Sequence, residues 1–143
     1  MTVKAILDAK GRDVVSIASE RTLREAAELL AERRIGAVVV LDGSGRIGGI
    51  LSERDIVRAV ARDGASALDM AVSVAMTAKV RTCRESHTVN EVMQIMTQGR
   101  FRHLPVEEGG SLVGIVSIGD VVKRRIEDVE REAEEIRTYI ATA

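Results

Sequence analysis

The sequence predicts a mixed fold of class α/β (α+β), in which two tandem β-α-β-β-α repeats are followed by a C-terminal helix extension. Three observations predict it. A helix-start signature recurs 66 positions along the chain, an apolar strand recurs in register with it, and the last stretch carries a heptad-like apolar seam.

Composition sets the frame. Hydrophobic residues make up 45% of the 143 and charged residues 30%, which suits a folded chain with a proper core rather than a disordered one. With one Phe, one Tyr and no Trp, that core must be aliphatic, and the stacking platforms that hold single-stranded nucleic acid are missing. The net charge is −1, so general attraction to nucleic acid or to an anionic membrane has no support. The single Cys83 excludes an internal disulfide and suits a reducing compartment. Met1 to Lys10 lacks the apolar core of a signal peptide, and no apolar run reaches the roughly 18 residues that span a bilayer. A cytoplasmic location is expected.

Each half opens with a short strand candidate, Val14–Ile17 and Val80–Cys83. A Thr-x-x-Glu capping box follows, Thr22 with Glu25 and Thr88 with Glu91, in which the hydroxyl and the carboxylate each satisfy a helix-start N–H. Leu23, Ala26, Ala27 and Leu30 match Val89, Val92, Met93 and Met96, one buried helix face in each half. Ile35–Val40 is then a buried strand whose counterpart, Phe101–Val106, contains Pro105 and therefore belongs where no ladder N–H is needed. Asp42-Gly43-Ser44-Gly45 and Glu108-Gly109-Gly110-Ser111 are turns. Gly49-Ile50-Leu51-Ser52 and Gly114-Ile115-Val116-Ser117 complete the hairpins, now 65 positions apart, and lead into helices expected to begin at Ile56 and Val121. The division expected is repeat one at 1–66, a connector at 67–77 with a short helix from Ala67 to Ala75, repeat two at 78–126, and an extension at 127–143. Neither half, at roughly 60 residues, buries enough apolar surface alone, so one compact module is expected.

Taken together, the strings Gly-Ile-Leu-Ser-x-x-Asp and Arg-His-Leu-Pro-Val, turn, Gly-Ile-Val-Ser-x-x-Asp resemble the CBS (cystathionine-β-synthase) domain family over nearly the whole chain. Ile6-Leu7 followed by Lys10-Gly11 is similar to small free-standing bacterial members. The resemblance implies two repeats about a pseudo-two-fold axis, with two clefts that take adenine nucleotides: AMP first, then ADP, ATP, NAD-type dinucleotides or S-adenosylmethionine. Ser52 with Asp55 and Ser117 with Asp120 occupy the positions of phosphate and ribose contacts. The chemistry agrees, since an ionised Asp accepts from both ribose hydroxyls and a strand-to-helix Ser lies beside free N–H groups and the positive end of a helix dipole. The competing reading is that Asp55 and Asp120 merely cap helices.

Arg100, Arg102 and His103 crowd the second site, whereas the first has Arg34 followed by Gly36 and Ala37, with Arg54 as a compensating cation. Arginine pairs with phosphate in a bidentate manner, so the two sites are expected to differ in affinity or in nucleotide. The family also implies adenine against Val15, Ser16, Arg81 and Thr82, with Ala37, Val38, Leu104 and Pro105 as an apolar wall. Lys10 and Gly11, with no equivalent in the second repeat, are a candidate for an additional phosphate contact. Cys83 and His87 lack the further ligands of a zinc site, and no Gly-x-Gly-x-x-Gly or Walker-type loop occurs, so no metal and no catalysis are expected.

Val122, Ile126, Val129, Ala133, Ile136 and Ile140 form the C-terminal seam. It either packs on its own repeats or joins a homodimer. The function expected is a non-catalytic regulatory sensor of adenine nucleotides that signals to an unknown partner protein. A ligand-free dimeric scaffold, or a binder of another adenosyl ligand, is the alternative.

Overall fold

In the computed structural model, which describes residues 1–142, the elements run α1 (Val3–Lys10), β1 (Ser16–Ala18), α2 (Leu23–Arg33), β2 (Ala37–Leu41), β3 (Ile47–Ser52), α3 (Glu53–Asp63), α4 (Val72–Ala75), α5 (Val89–Gly99), β4 (His103–Glu108), β5 (Ser111–Ser117) and α6 (Ile118–Thr142). A 3-10 turn covers Gly64–Asp69. The chain groups into two units: Asp13–Arg81 with Gly110–Leu112, and Met1–Arg12 with Thr82–Gly109 and everything from Val113 on. These cut across the sequential division read from the sequence.

In the first of these units β1 and β2 pair in parallel, Ile17 opposite Val40, and β2 pairs antiparallel with β3, Val39 opposite Ile50. Both hydrogen bonds of the Thr22–Glu25 capping box form, and α2 turns Leu23, Ala26 and Leu30 into a core shared with Ile17, Val38, Val40, Leu51 and Ala59. The stretch expected to be a connector is packed instead: Ala67 and Val72 are fully buried in this core. The single helix expected from Ala67 to Ala75 is two pieces, the 3-10 turn and α4. Asp42 fixes the β2–β3 turn by accepting from the N–H groups of Ser44 (2.9 Å) and Arg46 (3.1 Å).

The other unit holds β4 and, from Val113 on, its partner β5, and its Thr88–Glu91 box is equally complete. Its core joins Val89, Val92 and Met96 of α5 with Leu104, Val106, Val116, Val121 and Cys83, and with Val3, Ile6 and Leu7 of α1. Helix α1 is tied there by the N–H of Val3 donating to His87 O (2.9 Å) and the N–H of Val89 donating to Met1 O (2.9 Å). In the first unit Val72 donates to Arg21 O (2.7 Å) and Leu23 to Met70 O (2.9 Å). Each half thus has its second helix sealed by an opening segment that belongs, in sequence order, to the other half.

Two glycines permit this seal. A Cβ on Gly49 would lie 2.6 Å from Thr77 O and 2.7 Å from Met76 Sδ, and one on Gly114 would lie 2.8 Å from Leu7 Cδ2. Three further expectations are corrected. No strand forms at Val80–Cys83, where Cys83 makes a one-residue parallel bridge to Val106. The late helices begin at Glu53 and Ile118 rather than at Ile56 and Val121, because Ser52 and Ser117 close their first turns. Arg102 precedes β4 rather than lying within it. Among the described residues no helix is long and apolar enough to cross a membrane.

Candidate functional site

The two Ser-x-x-Asp strings sit where a hairpin's second strand becomes a helix. At the first, the hydroxyl of Ser52 accepts from the N–H of Asp55 (3.3 Å), while Asp55 Oδ2 accepts from the N–H (2.9 Å) and the hydroxyl (3.1 Å) of Ser52. At the second, Ser117 Oγ accepts from the N–H of Asp120 (3.1 Å) and Asp120 Oδ2 accepts from the N–H of Ser117 (2.9 Å). Serine is the cap and aspartate the third helical residue, a capping box built with Asp in place of Glu. The first helical N–H is also engaged: Glu53 donates to Gly36 O (3.0 Å) and Ile118 to Arg102 O (2.8 Å). Two of the N–H groups expected to face a phosphate are therefore occupied by the chain. What each box leaves open is Oδ1 of its aspartate, which takes no hydrogen bond among the described residues.

The two boxes differ in their surroundings. Lys10 Nζ lies 2.6 Å from Asp120 Oδ2 and also donates to Ile115 O (3.0 Å). Burial pushes the Asp120 carboxyl up, but the Lys10 hydrogen bond, the Ser117 N–H and the Lys10 charge outweigh it and hold the group below the usual carboxylate range. Lys10, read from sequence as a phosphate contact, is thus the partner of Asp120. Both line a hollow of about 140 Å³ with Ile6, Ala9, Lys123 and Arg124, less than the roughly 300–1,000 Å³ of drug-sized ligand sites. Among the described residues Asp55 pairs with no such cation. Counting from the matched Val3 and Val72, Lys79 stands where Lys10 stands, contrary to the expectation that Lys10 has no equivalent. By then the chain has left the short α4, and Thr77 is bridged to Ile50 of β3.

Arg34 and Arg100 close α2 and α5 in the left-handed conformation, φ 55° and 57°, and are the only non-glycine residues with positive φ among those described. That conformation costs an L residue roughly 1–2 kcal/mol, and glycine is the ordinary choice at a helix end. Both copies nevertheless carry arginine there. Arg34 lines a groove of about 490 Å³ with Ala27, Leu30, Ala31, Glu53 and Val57 that does not include Ser52 or Asp55.

Among the other expected contacts, Arg54, Arg81, Arg102 and Ser16 are exposed, while Val15, Thr82 and His103 are half-buried. The wall residues Ala37, Val38, Leu104 and Pro105 are buried, and Val38 and Leu104 are members of the two cores. Cys83 is also core, and burial pushes its thiol up to about 12, which leaves no thiolate for nucleophilic or metal chemistry near neutrality. His87 Nδ1 accepts from the N–H of Arg84 (2.8 Å). The pairing of Lys10 with Asp120 is what sequence reasoning missed; 110 positions separate the two and no local signal links them.

The sequence matches the CBS domain family over residues 3–62 and 71–127. It is 55% identical to a CBS-domain containing protein of Agrobacterium tumefaciens whose crystal structure superposes with a TM-score of 0.84, covering 87% of this chain and 92% of that one. A CBS domain protein of Pyrobaculum aerophilum, solved in complex with AMP, is 31% identical with a TM-score of 0.75, covering 84% and 89%. A CBS domain pair solved with 5′-methylthioadenosine and S-adenosyl-L-methionine is 26% identical with a TM-score of 0.79, covering 90% and 98%. The chain spans 61% of the length of one curated relative and 23% of another. By sequence and by fold, the chain belongs to the CBS domain family and carries a tandem pair of its repeats.

Proposed function

We propose that this CBS pair is a non-catalytic regulatory module that senses adenine nucleotides, AMP foremost with ADP, ATP and NAD(H) as further candidates, in two unequal sites. As a cytoplasmic homodimer it passes occupancy to a partner protein. The observation that carries the reading is the repeated strand-to-helix Ser-x-x-Asp box with its open Oδ1, in a repeat whose preceding helix also ends on a left-handed arginine. An open carboxylate oxygen takes a ribose hydroxyl, and arginine takes phosphate. The AMP and adenosyl ligands of the solved relatives supply the ligand class.

The sites are unequal because Asp120 is latched by Lys10 and Asp55 is not. A nucleotide at the second site displaces the ammonium or recruits it to phosphate; at the first it meets a carboxylate with no cation to displace.

Calorimetric titration with AMP, ATP, NADH and S-adenosylmethionine tests this on the whole chain. Asp55→Asn and Asp120→Asn each remove a charge-assisted bond worth about 1.5–3 kcal/mol, roughly 10- to 100-fold in affinity at the site concerned. Arg34→Gly and Arg100→Gly separate binding from folding: each relieves the left-handed strain, so the melting temperature holds or rises while affinity falls. Wild-type affinity in all four variants sinks the site assignment. A scaffold reading draws on the same latch, since Lys10 already satisfies Asp120; it predicts that none of the four ligands raises the melting temperature of the wild type.

A further inference from the structure

Helix α6 buries only Val121 and Asp128, where it packs on α5 and α1. Arg131 (2.8 Å) and Arg124 (3.6 Å) hold the Asp128 carboxylate on that inner face. About a third of a turn away runs the apolar seam, and the described residues do not cover it. Val122 is 42% exposed, Ile126 52%, Val129 45%, Ile136 60% and Ile140 69%, with Ala133 half-buried. From Val122 to Ile140 the stripe is about 27 Å long at 1.5 Å per residue. Past Asp128 no residue of the helix is buried, and so short an amphipathic helix is marginal in water without something against its apolar face.

The flanks of the seam say what covers it. With Ile126, Ala133 and Ile140 at the a positions and Val122, Val129 and Ile136 at d, the e positions are Lys123, Glu130 and Arg137, and the g positions include Arg125 and Glu132. In a parallel pair, each g residue faces the e residue of the following heptad on the other helix. Arg125 then meets Glu130, and Glu132 meets Arg137, each twice by symmetry, and no like charges meet. In a fully overlapped antiparallel pair, e faces e and g faces g. Lys123 would then meet Arg137, and Glu130 and Glu132 would each meet their own copies, all repulsive. The mixed signs on both flanks are also unlike the basic flanks of a helix that lies on an anionic membrane.

We propose that α6 pairs in parallel with α6 of a second copy through this seam. This gives the homodimer proposed above its contact surface and its direction. Ala133, at the middle a position, lets the two backbones approach, and both copies keep their inner faces on α5 and α1.

Sedimentation equilibrium of the whole chain tests it, because every seam and flank residue to be changed is exposed and the fold does not depend on it. Ile136→Glu raises the dimer dissociation constant at least tenfold with an unchanged circular dichroism spectrum. Arg137→Glu sets Glu132 against a like charge and weakens the dimer about 3- to 10-fold; adding Glu132→Arg to the same chain restores it. Oxidised Ile136→Cys forms a disulfide-linked dimer, since equivalent d positions lie side by side only in the parallel arrangement. A wild-type monomer defeats the homodimer reading itself. A wild-type dimer that Ile136→Glu leaves intact defeats only the seam, and tightening by Arg137→Glu or a mass above two chains defeats the parallel pair.

Discussion

In one unit the N–H of Val39 donates to Val15 O at 3.3 Å, and β1 runs beside β2 for three residues. In the other, Pro105 stands at the position of Val39 and has no N–H to give. Its carbonyl still accepts from the N–H of Cys83 (3.0 Å), and Glu107 donates to Cys83 O (2.9 Å), so the one bridge that needs nothing from Pro105 N survives. A strand of the repeat has shrunk to a single residue through the loss of one donor. The two units show that a repeated pattern specifies helices and hairpins robustly, whereas a short parallel strand depends on each of its few bonds.

The comparison can be broken at three places. The largest effect is expected at the glycines under the opening segments. Gly49→Ala drives a methyl against the backbone carbonyl of Thr77 and costs roughly 2–3 kcal/mol, whereas Gly114→Ala meets only the flexible end of Leu7 and costs about 1 kcal/mol. Urea denaturation should rank them in that order; equal costs would mean that the two seals are equally soft. Next comes Val39→Pro, which removes the ladder bond and strands the Val15 carbonyl, at about 1–2 kcal/mol. Faster amide exchange across Ser16–Ala18 is the accompanying sign, and unchanged exchange there would refute the role given to Pro105.

The smallest effect concerns the latch that only one unit has. The Asp120 carboxyl is held below its unfolded value, so its contribution is fully present above the unfolded pKa, near 4, and is lost as pH falls through the lower folded value. With the pair about a third and a quarter exposed, solvent screening limits it to about 0.5–1 kcal/mol. Lys10→Gln should therefore lower the melting temperature slightly at pH 7 and converge with wild type once the pH has fallen through that lower folded value. A constant gap across that range would show that Lys10 acts through packing instead.

Local features were legible in the sequence, and distant ones were not. The Thr22 and Thr88 boxes form as read, since such a box is closed by residues three apart. The starts of α3 and α6 were misplaced because Ser-x-x-Asp is itself a capping box, and reserving its aspartate for a ligand hid the cap one turn upstream. Pro105 could be read as unable to donate, but which bond it forfeits needed the register of Val15 with Val39. The Lys10–Asp120 pair and the sealing of α5 by α1 join residues about 80 to 110 positions apart, beyond the reach of spacing arguments.

The exchange of opening segments has a consequence for synthesis. Nearly all of the first unit is one continuous stretch, so it can close soon after its last residue leaves the ribosome. Val3, Ile6 and Leu7 are made well before Val116 and Val121, and their core is incomplete until those residues exist. At about 5–20 residues per second, these side chains wait roughly 5–20 s for their partners. For that interval the nascent chain carries a finished half and an unmatched apolar helix.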